Sequence, residues 1–410
     1  MNAKRWVPST EAALLKAIED GIFDEGHFFE AKSSVGDTKG ERKETARDLA
    51  SFAVDGGIFI IGVHEDKVNK RWDPEPVDLS GYAERVEQVA FNLVDPPLIL
   101  RITEIPAAGK PGHGYLAVEV SASLEAPHMV DGVYYQRGEK TRVRLGDAQV
   151  RRFHAARADQ EAVIDRLLDE EIARDPVAPA DRSSGHLYLV AHPVDAPRDV
   201  VHDIVYGDND VLWWLVDHGE REVPHAIRGV RPSAVTATSP SRRADGYARC
   251  SESLSGGRIF QPMSDASEIL MADIEFRVSG QIRVLVGGLS RPLGRGDDSP
   301  IRIFDSLAVA WTLRLVHWTR LFADAFAYRG SWQFGVAATG LHGHPSIQDE
   351  WGEGGPRYSR DEYRKSTTAT NFEIEDRPRK VANRLIGQFA RALGTYESAK
   401  PYLTYENTTD

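Results

Sequence analysis

Cysteine is almost missing from this sequence: Cys250 is the only one in 410 residues. That excludes an intramolecular disulfide framework and any Cys-rich zinc site, and a reducing, cytoplasmic compartment is expected. Long uncharged apolar runs are missing too. The most apolar long stretch, Phe304–Tyr328, is interrupted by Arg314, His317, Arg320 and Asp324, which predicts a core helix rather than a membrane span. Met1–Val7 carries Lys4 and Arg5 with no apolar segment behind them, so no targeting peptide is expected. There is no repeat of fixed period. There is also no Gly-x-x-x-x-Gly-Lys-Ser/Thr loop, which argues against ATP hydrolysis. Positive charge is in deficit, with 50 Lys+Arg against 62 Asp+Glu and a formal charge of -12. Such a chain cannot coat nucleic acid indiscriminately, although it can carry a local basic face.

What is present is an ordinary globular composition, 41% hydrophobic and 27% charged. The length predicts two domains, and the pattern predicts an α+β fold. Leu14, Leu15 and Ile18 make a helical face closed by Gly21. Phe28–Lys32 is a short predicted strand. Ala46, Leu49, Ala50 and Ala53 fall on one helical face, and Gly56-Gly57 ends that helix. Ile58–Val63 is a continuous apolar run and predicts a strand buried on both faces. Tyr82–Leu93 is helical and is stopped by Pro96-Pro97. Strands are predicted at Leu98–Ile102, Tyr115–Val120 and Gly132–Gln136, and a helix from Asp147 to about Glu171. Asp175–Gly185 is rich in Pro, Ala and Ser and reads as a linker between residues 1–174 and 186–410. In the second half, strands are predicted at Leu187–Ala191 and Trp332–Ala338, with a hairpin at Ser279-Gly280. Helices are predicted at Phe304–Tyr328 and Pro378–Leu393, and a loop at Gly340–Gly355.

The chemistry-bearing residues concentrate in the first half. Glu30 and Lys32 are two apart, so on a strand they share a face, with Phe29 and Ala31 turned to the core. Glu-x-Lys on one strand face suits a nuclease: the carboxylate holds a divalent metal and the ammonium orients water or a phosphate oxygen. An exposed strand face also carries such a pair for solubility alone. Glu25 precedes a bend at Gly26, and Glu65 and Asp66 follow the buried strand. Convergent carboxylates repel unless a cation neutralises them, which points to Mg2+ or Mn2+. An acidic turn accounts equally for Glu65-Asp66.

Glu25-Gly-His-Phe-Phe-Glu30-Ala-Lys32 resembles the Glu-Ser-x-x-x-Glu-Phe-Lys opening of the Schlafen AlbA-like domain family. Asp48-Leu-Ala-Ser-Phe-Ala-Val-Asp-Gly-Gly-Ile-Phe-Ile-Ile-Gly-Val63 is similar to the family's Ala-Phe-Ala-Asn-Thr-x-Gly-Gly block and the strand after it. Ala126-Pro127-His128 and Tyr134–Gly138 match its late blocks, in order. The resemblance covers about residues 22–157. It implies three acids that cut RNA, chiefly tRNA, with divalent metal, and these fall on Glu25, Glu30 and Glu65. The family's third acid is usually Asp, and Asp66 is the alternative here. The family's Asn-Thr pair is Val54-Asp55, and the Ser after the first acid is Gly26. Other bacterial members are described only as DNA-binding domains.

Residues 137–157 hold seven cations against Glu139 and Asp147, in a chain that is otherwise acidic. Arg137, Lys140, Arg142 and Arg144 are the expected phosphate contacts. A solvated helix pairing with Asp159 and Glu161 accounts for the Arg151–Arg157 part. His342-Gly-His344, Trp213-Trp214, Trp332 and Cys250 carry no chemistry on pattern alone. The expectation is a metal-dependent endoribonuclease of tRNA or other structured RNA, in phage defence or growth arrest, with Lys32 neutralising developing charge. The alternative is a non-catalytic DNA- or RNA-binding regulator. RNA is expected over DNA, no membrane, and a homodimer or protein partner through the C-terminal half.

Overall fold

A computed structural model of the chain describes residues 7–404 except 22, 24, 25, 37, 67, 70, 124, 140, 195–197, 208, 295–298, 327, 329 and 349–354. The chain divides into two compact units, residues 1–159 with 329–331 and residues 160–328 with 332–410.

The first unit runs α1 (Glu11–Glu19), β1 (Phe29–Lys32), α2 (Lys39–Phe52), β2 (Gly57–Ile61), β3 (Val63–Asp66), β4 (Arg71–Pro74), β5 (Val77–Asp78) and α3 (Tyr82–Asn92). It continues through β6 (Leu100–Pro106), β7 (His113–Val120), β8 (Met129–Val130), β9 (Val133–Arg137), β10 (Arg142–Arg144) and α4 (Asp147–Ala173), which passes into the second unit. Strand β1 lies parallel to β2, and β2 is antiparallel to β7. Strand β6 pairs along the other edge of β7, and β5 pairs at its start. Strands β8, β9 and β10 form a separate antiparallel ribbon, and β3 and β4 form a hairpin.

Local chemistry explains α2. The Thr38 side chain and Glu41 make a reciprocal capping box at its start. At its end Gly56 takes φ +75°, a conformation that costs glycine little. A Cβ on the next residue, Gly57, would meet the Phe52 ring at 2.1 Å. One face of the sheet packs Phe59, Ile61, Leu116 and Val118 against Leu49, Phe52 and Val86 of α2 and α3. The other packs Ile58, Ile60, Ala31 and Tyr115 with Leu14, Phe23 and Trp72. The expected strand at Leu98–Ile102 is displaced to Leu100–Pro106. Leu98 is buried instead, and its N–H bonds the Ala90 carbonyl at the end of α3 (3.3 Å).

The second unit contains β11 (Leu187–Pro193), α5 (Arg198–Tyr206), α6 (Asn209–Glu222), α7 (His225–Arg228), β12 (Ser239–Arg243), β13 (Gly246–Cys250), β14 (Ala272–Arg277) and β15 (Ile282–Val286). It ends with β16 (Ser290–Pro292), β17 (Ile301–Ile303), α8 (Asp305–Ala325), β18 (Ser331–Ala338), β19 (Tyr363–Thr370), α9 (Asn371–Asp376), α10 (Pro378–Ala392) and α11 (Tyr396–Leu403). Its main sheet has the order β12-β13-β14-β15-β11-β18-β19. The expected hairpin is present between β14 and β15, with Gly280 at φ +80°. Helix α8 is the expected core helix: Trp311, Leu315, Trp318 and Phe322 pack onto the sheet with α6 and α10. Among the described residues no helix is long and apolar enough to cross a membrane. Ile164, Leu167 and Leu168 of α4 pack on the opposite sheet face.

The fold class is α+β, as the pattern predicts. The stretch Asp175–Gly185 lies inside the second unit and is bonded into it. Asp175 accepts from His186 Nδ1 (2.6 Å) and from the Tyr188 hydroxyl (2.6 Å). Ser183 and Ser184 donate backbone and hydroxyl hydrogens to Glu268 at 2.8–3.0 Å.

Candidate functional site

Strand β1 places Glu30 and Lys32 on one face, as the spacing requires, but that face is covered by α2. Glu30 is buried and its Oε2 lies 2.5 Å from Nη2 of Arg137. The Arg137 guanidinium sits over the Phe52 ring, 5.0 Å from its centroid, and donates to the Gly26 and Phe29 carbonyls (3.3 and 3.4 Å). Arg137 is 3% exposed. It is therefore an internal strut, not a surface phosphate contact. Its burial is tolerable because a carboxylate, two carbonyls and a ring face replace water.

Lys32 bonds Asp48 on α2, and Asp48 in turn accepts from Arg142 Nη1 (2.7 Å). Arg142 also pairs with Glu44, and donates to the Glu44 carbonyl (3.2 Å). Glu44 takes Arg47 at 2.5 Å as well. Partial burial alone would raise the Glu44 pKa, but the hydrogen bond and charge of Arg142, aided by Arg47, hold it below the usual carboxylate range. Arg142 is correspondingly raised: burial opposes its charge, and Asp48 and Glu44 outweigh burial. Lys43 pairs with Asp131 (2.9 Å) and lowers its pKa, through a hydrogen bond first and charge second.

The expected surface strip of cations therefore divides. Arg142 is drawn under α2. Arg144, two residues on along β10, is exposed, as is Arg152 on α4, and neither makes an ion pair with a described residue. Arg151 pairs with Asp147 (3.0 Å). Lys140 and Glu25 lie outside the described residues.

Glu65 lies on β3 opposite Trp72, half-buried and engaged in its own polar interaction. Strand β3 packs against β1, and Gly62 N–H bonds the Lys32 carbonyl between them (2.9 Å). Asp66 is a turn former: it accepts from the N–H groups of Val68 and Asn69 (3.1 and 3.0 Å) and from the Asn69 side chain (2.6 Å). Those bonds, the Asn69 side chain first, hold its pKa low. Hard carboxylate oxygens suit Mg2+ or Mn2+, but the charge of Glu30 is already matched by Arg137. Among the described residues no group of three or more His, Cys, Asp or Glu converges to hold a metal ion. The described residues do not by themselves make a divalent-metal site.

Sequence reasoning passed over Asp48, Glu44 and the pair His27–Asp55, in which His27 Nε2 donates to Asp55 (2.9 Å). A signal for the first two exists: they are four apart on α2, one helical turn, next to its apolar face. His128 is structural. It is buried, donates from Nδ1 to the Pro96 carbonyl (2.6 Å) and accepts from Ser123 at Nε2 (2.7 Å). Burial lowers its pKa, so it stays neutral. In the second unit Trp332 is core. Trp213 lies beneath Arg249 and Trp214 stacks on His218. Burial pushes the Cys250 thiol up to about 11, which removes it as a nucleophile.

No curated protein matches this chain. Among solved structures it is similar to the DIP2311 protein from Corynebacterium diphtheriae, at 16% identity over 36% of this chain and 28% of that one, with a TM-score of 0.24. The chain thus spans under a third of that protein's length. Residues 25–146, which hold β1, α2, β2 and the β9–β10 hairpin, match the family model described as Schlafen, AlbA_2. The chain therefore carries a Schlafen AlbA_2 domain, a domain type associated with nucleic acid, within residues 25–146.

Proposed function

We propose that this domain binds nucleic acid through the cations that its own carboxylates leave unmatched. The observation that carries the reading is the split of the basic strip. Arg137 and Arg142 are consumed by Glu30, Glu44 and Asp48, whereas Arg144 and Arg152 stand exposed and unpaired among the described residues. In an acidic chain such cations are the natural phosphate contacts. The test is charge reversal. Arg144→Glu with Arg152→Glu is expected to weaken binding of a fluorescein-labelled single-stranded RNA at least about tenfold at low salt, with the melting temperature unchanged. Binding equal to wild type would remove these residues from the interface.

A second reading is cleavage of the bound RNA, with Mg2+ or Mn2+ held by Glu25, Glu30 and Glu65. It is favoured by the packing of β3, which carries Glu65, against β1, which carries Glu30. It requires the Glu30–Arg137 pair to open. Incubation of the whole protein with total tRNA in Mn2+, Mg2+ or EDTA tests it. Metal-dependent fragments that Glu30→Gln and Glu65→Gln both abolish would support cleavage. Intact tRNA under all three conditions would leave binding alone.

A further inference from the structure

We infer that the α2 stripe of Lys39, Lys43 and Arg47 is a further phosphate contact for a nucleic-acid strand, and that the Asp131 carboxylate occupies it until a strand displaces it; this rests on the nucleic-acid-binding reading above. The three cations fall four residues apart, so they rise along one side of α2 about 6 Å at a time. Like charges at that spacing repel. Lys39 also puts its charge at the N-terminal end of the helix, where the helix dipole opposes it. Local structure gains nothing from such a row, and an anion laid against it removes the conflict. The hairpin that packs on α2 supplies one: Asp131, in the turn between β8 and β9.

Lys43 Nζ lies 2.9 Å from the Asp131 carboxylate, and Arg47 Nη2 lies 3.7 Å from it. Lys39 is exposed and makes no ion pair with a described residue, but its charge reaches the same carboxylate. The Lys43 hydrogen bond first, then the charges of Lys43, Arg47 and Lys39, keep Asp131 below its ordinary pKa. One carboxylate thus faces three cations, and only Arg47 has another, Glu44. The turn itself does not need the charge. Asp131 and Gly132 take φ +50° and +75°, a two-residue turn that Asn-Gly forms equally well. The contact also opens easily, because 46% of the Asp131 side chain is in water and an exposed ion pair contributes little. A phosphodiester, like a carboxylate, shares one negative charge between two oxygens, so it can take the same donors. The ligand class is therefore the phosphodiester backbone of RNA or DNA.

The experiment measures fluorescence anisotropy of the whole protein with labelled oligouridine and oligodeoxythymidine across a salt series. Asp131→Asn keeps the turn and removes the competing charge, so it should bind about 2- to 5-fold tighter at low salt. Glu87→Gln, the same change of charge at an exposed position of α3, should bind like wild type. Lys39→Gln with Lys43→Gln should weaken binding and make the slope of log K against log salt shallower by about 1.4. Adding Asp131→Asn to that pair should then change nothing. The two probes separate RNA from DNA as the source of the phosphate. Asp131→Gly takes the same φ freely, so it decides the matter if Asp131→Asn unfolds. If both Asp131 variants bind no more tightly than Glu87→Gln while the Arg144/Arg152 reversal weakens binding, the inference is refuted and the binding reading stands. A gain that survives in the Lys39→Gln/Lys43→Gln background would also refute it. If wild type and Asp131→Asn bind neither probe, both fall.

Discussion

His186 shows how much a single residue can hold in this molecule. Its ring is buried between two carboxylates, with Nδ1 2.6 Å from Asp175 and Nε2 3.1 Å from Glu268. Burial alone would lower its pKa, but the two hydrogen bonds and charges raise it above the ordinary 6.5. Glu268 is held at about 2: burial opposes this, and the bonds from His186, Ser183 and Ser184 outweigh it. Asp175 is lowered in the same way. A raised histidine pKa stabilises the fold fully below the unfolded value and loses that contribution as pH rises through the folded one. The lowered acids stabilise above about pH 4 and lose their contribution on acidification. The melting-temperature advantage of wild type over His186→Gln should therefore be greatest near pH 5–6.5 and shrink as pH rises further. A constant difference from pH 5 to 9 would contradict the doubly bonded imidazolium. Little of this was legible in the sequence. Asp175, Ser183 and Ser184 read as linker because polar and small residues suit an exposed segment. Only the long-range placement of Glu268 turns them into an anion-binding turn. Glu30 is a similar case. Its position on the same strand face as Lys32 followed from a period of two, but its burial did not, because the covering group, Arg137, is more than a hundred residues away.

At the scale of elements, α2 is the organiser of the first unit. Its apolar residues were readable from their spacing, and so was its glycine stop. Its acids were not, because carboxylates on a helix usually face water. Here Asp48 joins three elements: Lys32 on β1, its own helix and Arg142 on β10. Removing one partner of a buried ion network leaves the others desolvated and unmatched. Asp48→Ala should cost about 3 kcal/mol in chemical denaturation of the first unit. Arg144→Ala, on the same strand as Arg142 but in water, should change stability by less than about 0.5 kcal/mol. Equal effects would mean that the network contributes nothing. The helices α5–α7 and strands β12–β13 went unassigned from sequence. Their apolar residues fall in short runs that fit helix and strand about equally.

At the scale of the whole molecule, one continuous helix belongs to both units in chain sequence. The last turn of α4 and the residue after it supply Glu170, Glu171 and Arg174 to the sheet of the second unit. Arg258 bonds Glu171 (2.5 Å), both buried; the buried Arg283 bonds the exposed Glu170 (2.9 Å), and the part-exposed Arg174 bonds the buried Glu275 (2.9 Å). A fragment that begins at the apparent linker, residues 175–410, would lack Glu170, Glu171 and Arg174, so that Arg283 would lose both its carboxylates and Arg258 would keep only Asp273 and Glu275. It should be less stable than residues 160–410 by about 3 kcal/mol or more, measured by urea denaturation. Equal stability would show that these ion pairs are dispensable. Length leads to the expectation of two domains, but a continuous helix carries no composition shift where its contacts pass from one compact unit to the other.

The claim on which the functional account depends is that a chain of net charge -12 presents local cations to phosphate. The most direct measurement is the affinity of the whole protein for labelled oligouridine across a series of salt concentrations. Two phosphate contacts, at Arg144 and Arg152, predict a linear fall of log K with log salt and a slope of about -1.4 or steeper. Absence of binding at low salt, or binding that does not change with salt, would contradict the account.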